Sequence, residues 1–338
     1  MKHHQVIVAG CGGMSNAWLD YAAERDDVHI AALVDIYEEN AVKMAEKRGL
    51  MVPIYNDLST ALQSVNANLV FDVTIPSSHK SVVTTALEAG CHVFGEKPMA
   101  ESLDDARDIV EVSKRTGKRY AVMQNRRYLK QIRALRDHIQ SGAIGTIGSV
   151  HADFFLGPRF GGFRDVMDSP LIIDMAIHTF DQARFITGAN PVSVYCHEYN
   201  AEGSWYQGNA SAICIFEMSD GSVFSYRGSW SAIGQPTSWE ADWRVLGSQG
   251  TARWDGIHMP YSEQQKEQAG NGFFHETVRT EAEARWSGRE GHNGCLDEMF
   301  AALAEDRPAE TDALDHIHSA AMVFHALESA RTGKKVFL

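Results

Sequence analysis

The chain has 338 residues and a formal charge of −13, from 31 Lys and Arg against 44 Asp and Glu. So acidic a composition excludes nucleic acid as a partner, because that needs concentrated positive charge, and no run of about 18 apolar residues is present to cross a bilayer. The length predicts two domains, each able to bury its own core. The five cysteines, at 11, 91, 196, 214 and 295, never fall in C-x-x-C spacing and predict free thiols, with no metal site.

An N-terminus that enters a strand with no signal-peptide pattern predicts a cytoplasmic protein. Residues 5–9 are an apolar run of strand length, followed at once by Gly10-Cys11-Gly12-Gly13-Met14-Ser15 and by the helical spacing of Asn16-Ala17-Trp18-Leu19. This pattern predicts a dinucleotide-binding turn. Gly10 permits the tight turn, Gly12 lets backbone N–H groups approach a pyrophosphate, and the helix N-terminus adds partial positive charge. Ser15 stands where a third glycine is usual, and its small side chain suits a position that demands only close packing.

A second apolar run, 29–34, ends in Asp35, near the ~20-residue offset at which an acidic side chain meets the adenosine ribose. With Ile36 and Tyr37 following and no adjacent cation, this carboxylate predicts NAD over NADP, whose 2′-phosphate it would repel. The competing reading makes Asp35 a simple strand-end turn residue. Helices follow at about 38–48 and, capped by Asn56 or Asp57, shortly after. A strand is predicted at 68–74, a helix from Ser77 to 89, a strand at 91–95, a helix at 102–115, a strand at 120–123 and a helix at about 127–140. This alternation predicts a doubly wound parallel sheet.

The strand at 91–95 runs into Glu96-Lys97-Pro98, so Lys97 stands at the carboxyl end of a strand, where open α/β sheets bind ligands. Beyond the break at Ser141–Gly145 the texture changes. The segment Gly157-Pro158-Arg159-Phe160-Gly161-Gly162-Phe163-Arg164-Asp165 offers planar donors and acceptors for a polyhydroxylated ring; alternatively it is an ordinary connection. A helix over 171–187 places Asp174 and His178 four apart on one face. Strands follow at about 192–199, 209–217, 222–230, 239–246 and 251–254, with Asp220-Gly221 as a hairpin turn, and predict a mostly antiparallel sheet. Trp205, Trp230, Trp239 and Trp243 would stack on sugars or fill core. Residues 256–290 lack periodicity and read as a long excursion. Helices at about 291–305 and 312–331 close the chain. His292 would cap the first of them or touch substrate, and His316, His318 and His325 read as packing or surface residues.

In combination and order, the glycine turn at 10–15, Val73-Thr74-Ile75-Pro76 with His79, Glu96-Lys97-Pro98, Gln124-Asn125-Arg126-Arg127-Tyr128 and Asp174-x-x-x-His178 resemble the glucose-fructose oxidoreductase / inositol dehydrogenase / MocA family, over essentially the whole chain. The resemblance implies a Rossmann domain over 1–124 that carries NAD(P), and an α+β domain over 125–338 with an open-faced sheet, whose last helix returns to the first domain. It implies Lys97, Asp174 and His178 as the catalytic set, with Thr74, Pro76, His79, Glu96 and Lys97 toward the cofactor and Arg127, Tyr128 and His292 toward substrate. Homodimers or homotetramers built across the open sheets are implied as well.

The chemistry agrees with such a set. Oxidising a secondary alcohol requires a base for the hydroxyl proton, and a neutral imidazole such as His178 suits pH 7. Lys97 would stabilise alkoxide charge, and Asp174 would orient the imidazole or grip a substrate hydroxyl. The bland competitors are a solvated Lys97 and an Asp174–His178 pair that is only a helix-face contact. Three functions remain open at this stage: a sugar or cyclitol dehydrogenase, a glycosidase that uses NAD transiently, and a non-catalytic NAD(P) sensor.

Overall fold

Two sheets organise the chain, one of six strands and one of nine. The computed structural model describes residues 4–266 and 273–338. It resolves into two units, Met1–Gln124 with His292–Ala320, and Asn125–Gly291 with Ala321–Leu338.

The first unit alternates β1 (His4–Ala9), α1 (Ser15–Ala23), β2 (Val28–Val34), α2 (Glu38–Arg48), β3 (Ile54–Tyr55), α3 (Leu58–Ser64), β4 (Leu69–Asp72), α4 (Pro76–Glu88), β5 (His92–Gly95), α5 (Leu103–Thr116) and β6 (Tyr120–Val122). Every pairing is parallel, in the order β3-β2-β1-β4-β5-β6. That order reverses between β1 and β4, so their carboxyl ends frame the crevice where such sheets bind ligands. Val6, Ile7, Val8, Leu69, Val70 and Phe71 are fully buried, which explains why these strands read as continuous apolar runs. Local chemistry sets the helix starts. Asp57 rather than Asn56 caps α3 by accepting from the Thr60 N–H at 2.7 Å, and Ser102 caps α5 through the Asp105 N–H at 3.0 Å. Pro76 occupies the first turn of α4, where its missing N–H costs nothing.

The second unit comprises α6 (Lys130–Gln140), β7 (Ile147–Phe155), a helical segment described below, β8 (Pro191–Tyr199), β9 (Ser211–Met218), β10 (Val223–Ser229), β11 (Asp242–Gly247), β12 (Gly250–Trp254), β13 (Tyr261–Gln265) and β14 (Thr277–Glu281). Two helices follow, α8 (Gly291–Ala304) and α9 (Ala313–Thr332), and β15 (Val336–Phe337) ends the chain. α8 from His292 and α9 as far as Ala320 belong to the first unit. The nine strands run β14-β13-β12-β11-β7-β10-β9-β8-β15, antiparallel except for the β7/β10 pair. One face packs Phe154, Phe216, Phe224 and Trp243 against α6 and the helical segment. On the other, Tyr195, Ile213, Ile215, Arg227 and Arg244 are exposed.

Several expectations change. Residues 147–155 form β7, a strand at the middle of the sheet that the sequence pattern did not announce. Within 256–290 lie β13 and β14, so much of that excursion extends the sheet. Every residue of β14 is exposed, which removes the alternation by which strands are recognised; residues 267–272 lie outside the described residues. Helix 171–187 has two parts, a π-helical turn at Leu171–Ala176 and then α7 (Ile177–Thr187). The helix anticipated at 127 starts at Lys130, after a 3₁₀ turn at Asn125–Arg127. Among the described residues no helix is long and apolar enough to cross a membrane.

Candidate active site

The glycine turn has the shape a dinucleotide needs. Gly10 takes φ +90°, and a Cβ there would stand 2.4 Å from the Val73 carbonyl oxygen, so only glycine lets β1 pass this close to the end of β4. Around Gly12 and Gly13 nothing lies within 4 Å of where a side chain would begin. The N–H groups of Gly12, Gly13 and Met14 find no acceptor among the described residues, at the positive end of α1. These are the properties of a pyrophosphate site. The Ser15 hydroxyl donates to the Gly12 carbonyl at 2.6 Å, a bond that glycine could not make. The Asp35 carboxylate accepts from the Cys11 N–H and the Tyr37 N–H, each at 2.9 Å. It is thereby fixed beside the turn. Burial, with the Asp35 charge, pushes the Cys11 thiol up to about 12, so it is inert at neutral pH.

At the end of β4 the structure reveals a residue that the sequence reading passed over. Asp72 is fully buried, and its carboxylate accepts from the Thr74 hydroxyl at 2.6 Å and the Thr74 N–H at 3.2 Å, with His79 Nδ1 at 2.7 Å. Thr74 and His79 are thus held by one acid. Burial opposes charge on His79, but the Asp72, Glu96 and Glu101 carboxylates outweigh it and raise the imidazole above its ordinary value. The Asp72 carbonyl accepts from the Glu96 N–H at 2.9 Å, and the Glu96 carboxylate accepts from Trp18 Nε1 at 2.8 Å, with His292 Nε2 3.9 Å away. Glu96 therefore fastens the end of β5 to α1, and the half-buried Lys97 follows it directly, joined to Pro98 by a cis peptide.

In the second unit, His178 lies buried on α7, one residue into the α-helix that succeeds the π turn. Asp174 belongs to that turn and accepts from Arg164 Nε at 2.6 Å, so the 157–165 loop is tied at Arg164 to the helical segment. Arg127 is buried and bidentate on Asp181, through Nε at 2.6 Å and Nη2 at 2.7 Å. Losing one member of such a pair costs about 3–5 kcal/mol. Tyr128 is also buried, with the Arg133 guanidinium 4.6 Å above its ring. Arg126, which the sequence reading did not single out, hydrogen-bonds the Trp239 carbonyl and lies 3.4 Å from Glu240. Glu240 in turn accepts from Gln182 at 2.7 Å. Burial lowers Arg126 and raises Glu240 from their ordinary values.

The 157–165 loop is bordered by aromatic rings. The Arg164 guanidinium lies 4.6 Å from the Phe163 ring centre and 5.2 Å from that of Phe160, and Phe160 in turn contacts Trp230 and Trp239. Asp165 has one carboxylate oxygen shut off from solvent, and Arg159 is exposed. Trp230 and Trp243 are core residues, whereas Trp205 and Trp239 keep exposed surface. Among the described residues no group of three or more His, Cys, Asp or Glu could hold a metal ion.

Comparison with known proteins adds a family context. Residues 4–124 match the GFO/IDH/MocA profile described as "Oxidoreductase family, NAD-binding Rossmann fold", and residues 132–253 match the GFO/IDH/MocA C-terminal domain. The uncharacterized protein y4oX of Sinorhizobium fredii is 28% identical over 98% of this chain and 95% of its own. D-glucoside 3-dehydrogenase of Escherichia coli is 28% identical, over 59% of each chain. An oxidoreductase from Agrobacterium radiobacter, solved with NAD+, L-tartaric acid and magnesium, superimposes with a TM-score of 0.85 over 99% of this chain and 98% of that one, at 22% identity.

The Asp72–His79 pair should be visible in stability. A raised folded value means that its contribution is complete below the unfolded imidazole value of 6.5 and is lost as pH climbs through the folded one. Urea denaturation from pH 6 to 9 should therefore show the gap between wild type and His79→Gln narrowing as pH rises; a gap that is constant or widens would show that the ring is not held as a cation.

Proposed function

This chain belongs to the GFO/IDH/MocA family of oxidoreductases, whose N-terminal domain is an NAD-binding Rossmann fold, and on that premise we propose that it is an NAD-dependent dehydrogenase or reductase acting on a secondary alcohol of a sugar or cyclitol. The observation that carries the cofactor half is the open, donor-lined turn at Gly10–Met14 with Asp35 fixed beside it. Gly12, Gly13 and Met14 would hold the pyrophosphate by their N–H groups, and the remaining lone pairs of Asp35 would accept from the ribose hydroxyls. When bound, the nicotinamide supplies the hydride acceptor or donor. The likeness to D-glucoside 3-dehydrogenase supports a carbohydrate-like substrate.

The protein's own task is the proton. His178 takes the proton of the reacting hydroxyl as general base and returns it in the reverse direction. Lys97 donates a hydrogen bond to the same oxygen and offsets its developing negative charge, a role that a compact ammonium fills without reorganisation. Asp174 is a positioning residue: its carboxylate fixes Arg164, and through it the 157–165 loop. The exposed apolar residues Tyr195, Ile213 and Ile215 on the open sheet support assembly into a homodimer or homotetramer, since so contiguous a patch is unfavourable on a monomer.

Each part has its measurement. Fluorescence titration should show NADH binding roughly tenfold or more tighter than NADPH, the scale of one like-charge contact, and Asp35→Ser should shrink that gap; equal or tighter NADPH binding by the wild type overturns the NAD assignment. With a panel of aldoses, inositols and glycosides to locate the substrate, His178→Ala should lower kcat by at least ~10²-fold while leaving NADH affinity nearly unchanged. Lys97→Ala should lose ~10²–10³-fold, without rescue by Lys97→Arg, whose planar donors sit elsewhere. Asp174→Asn should be milder, and if it abolishes turnover while His178→Ala retains it, the base is Asp174. Light scattering should give a multiple of the 37.4 kDa chain mass, and a monomer at working concentration would count against assembly.

A further inference from the structure

We propose that the substrate carries a carboxylate on its polyhydroxylated frame, as a uronic or aldonic acid does, and that Arg159 is the residue that reads it. The inference rests on the dehydrogenase reading and adds the chemical class of its substrate. Its basis is the way residues 156–159 are held. Leu156 is tied by its N–H to the Ser229 carbonyl at 3.0 Å and by its carbonyl to the Ala232 N–H at 3.1 Å. Gly157 then passes so close to the segment after β10 that a Cβ would stand 2.3 Å from the Ala232 carbonyl oxygen and 3.1 Å from the Trp205 indole. The carbonyl of Pro158 is held by two donors, Trp205 Nε1 at 3.2 Å and the Tyr206 hydroxyl at 3.0 Å. Tyr206 is itself stacked on Trp230, with ring centres 5.8 Å apart and planes within 3°. These four hydrogen bonds hold the backbone from Leu156 to the Pro158 carbonyl, directly before Arg159.

The guanidinium of Arg159 lies over the Trp205 ring, 4.7 Å from its centre. A cation stacked on indole keeps its plane defined at low entropic cost. Arg164, on the same loop, has its charge met by Asp174 at 2.6 Å. Arg159 has no hydrogen bond or ion pair to any described residue. A planar fork of donors resting on an indole, with no protein carboxylate to meet its charge, matches the two oxygens of a carboxylate. Neutral hydroxyls would engage those donors singly and leave the charge uncompensated.

The test compares matched pairs, D-glucose with D-glucuronate and D-galactose with D-galacturonate, by NADH formation and by tryptophan fluorescence titration. In the wild type the acid should exceed its neutral partner by about tenfold or more in kcat/KM, and added salt should reduce the ratio because Arg159 is exposed. Arg159→Gln should bring the ratio toward one, and Arg159→Lys should restore part of it; unchanged thermal unfolding of both variants separates this from misfolding. A ratio that survives Arg159→Gln overturns the proposal. So does a wild type that oxidises the neutral sugar as well as the acid, which leaves the dehydrogenase reading intact. If no pair yields NADH, which counts against the dehydrogenase reading, fluorescence decides on the carboxylate: selective uronate binding that Arg159→Gln abolishes upholds it, while equal or absent binding overturns it.

Discussion

The carboxylate of Asp72 accepts from both the main chain and the hydroxyl of Thr74 and faces His79, out of reach of solvent, while the carbonyl of the same residue holds the N–H of Glu96. A buried carboxylate deprived of donors is several kcal/mol worse off, so none of these partners can move alone. Through Thr74 the acid shapes the β4–α4 connection against which Gly10 packs. Through Glu96 and its bond to Trp18 it reaches α1, the helix whose N-terminus opens the glycine turn. The turn, the connection and the strand that leads to Lys97 are therefore one mechanical piece. A flexible ligand gains most from a receptor whose parts are already in place.

Much of that piece could be read from the letters. The glycine turn, Asp35, the helix stops and the β-α alternation express local rules, each decided within a few residues of chain. Asp72 is different: in Leu-Val-Phe-Asp-Val-Thr it looks like one polar residue at the end of an apolar run, and its meaning depends on a histidine seven residues away. The same limit hid β7, where Gly148, Ser149 and His151 dilute a strand whose inward positions, Val150, Ala152 and Phe154, are all buried. It also hid the π turn, because its buried residues Leu171, Ile172, Met175 and Ala176 have the spacing of an ordinary α-helix face. Arg127 and Asp181 lie 54 positions apart, so a buried ion pair between them is a tertiary fact that no local pattern carries.

In the second unit, charge is used to fix a rotation. Asp181 and Gln182, one turn beyond His178, are held respectively by Arg127 and Glu240, and Arg126 closes against Glu240. Buried pairs of this kind add little net stability when intact, yet breaking one leaves an uncompensated charge. Any other rotation of α7 about its axis would break at least one of them. The imidazole thus inherits a defined direction from neighbours that never approach it for chemistry.

All five cysteines are unbridged and buried, and Cys196 and Cys214 sit side by side on adjacent strands with sulfurs 3.3 Å apart. Burial raises the thiols of Cys11, Cys91, Cys214 and Cys295 above their ordinary values, so the folded protein offers thiol reagents almost no nucleophile. Reaction must wait until the surrounding structure opens. Cys11, Cys91 and Cys295 lie in the first unit, Cys196 and Cys214 in the second. The chain therefore carries two built-in chemical clocks, and the rate at which each set is labelled reports how often its own half of the molecule comes apart.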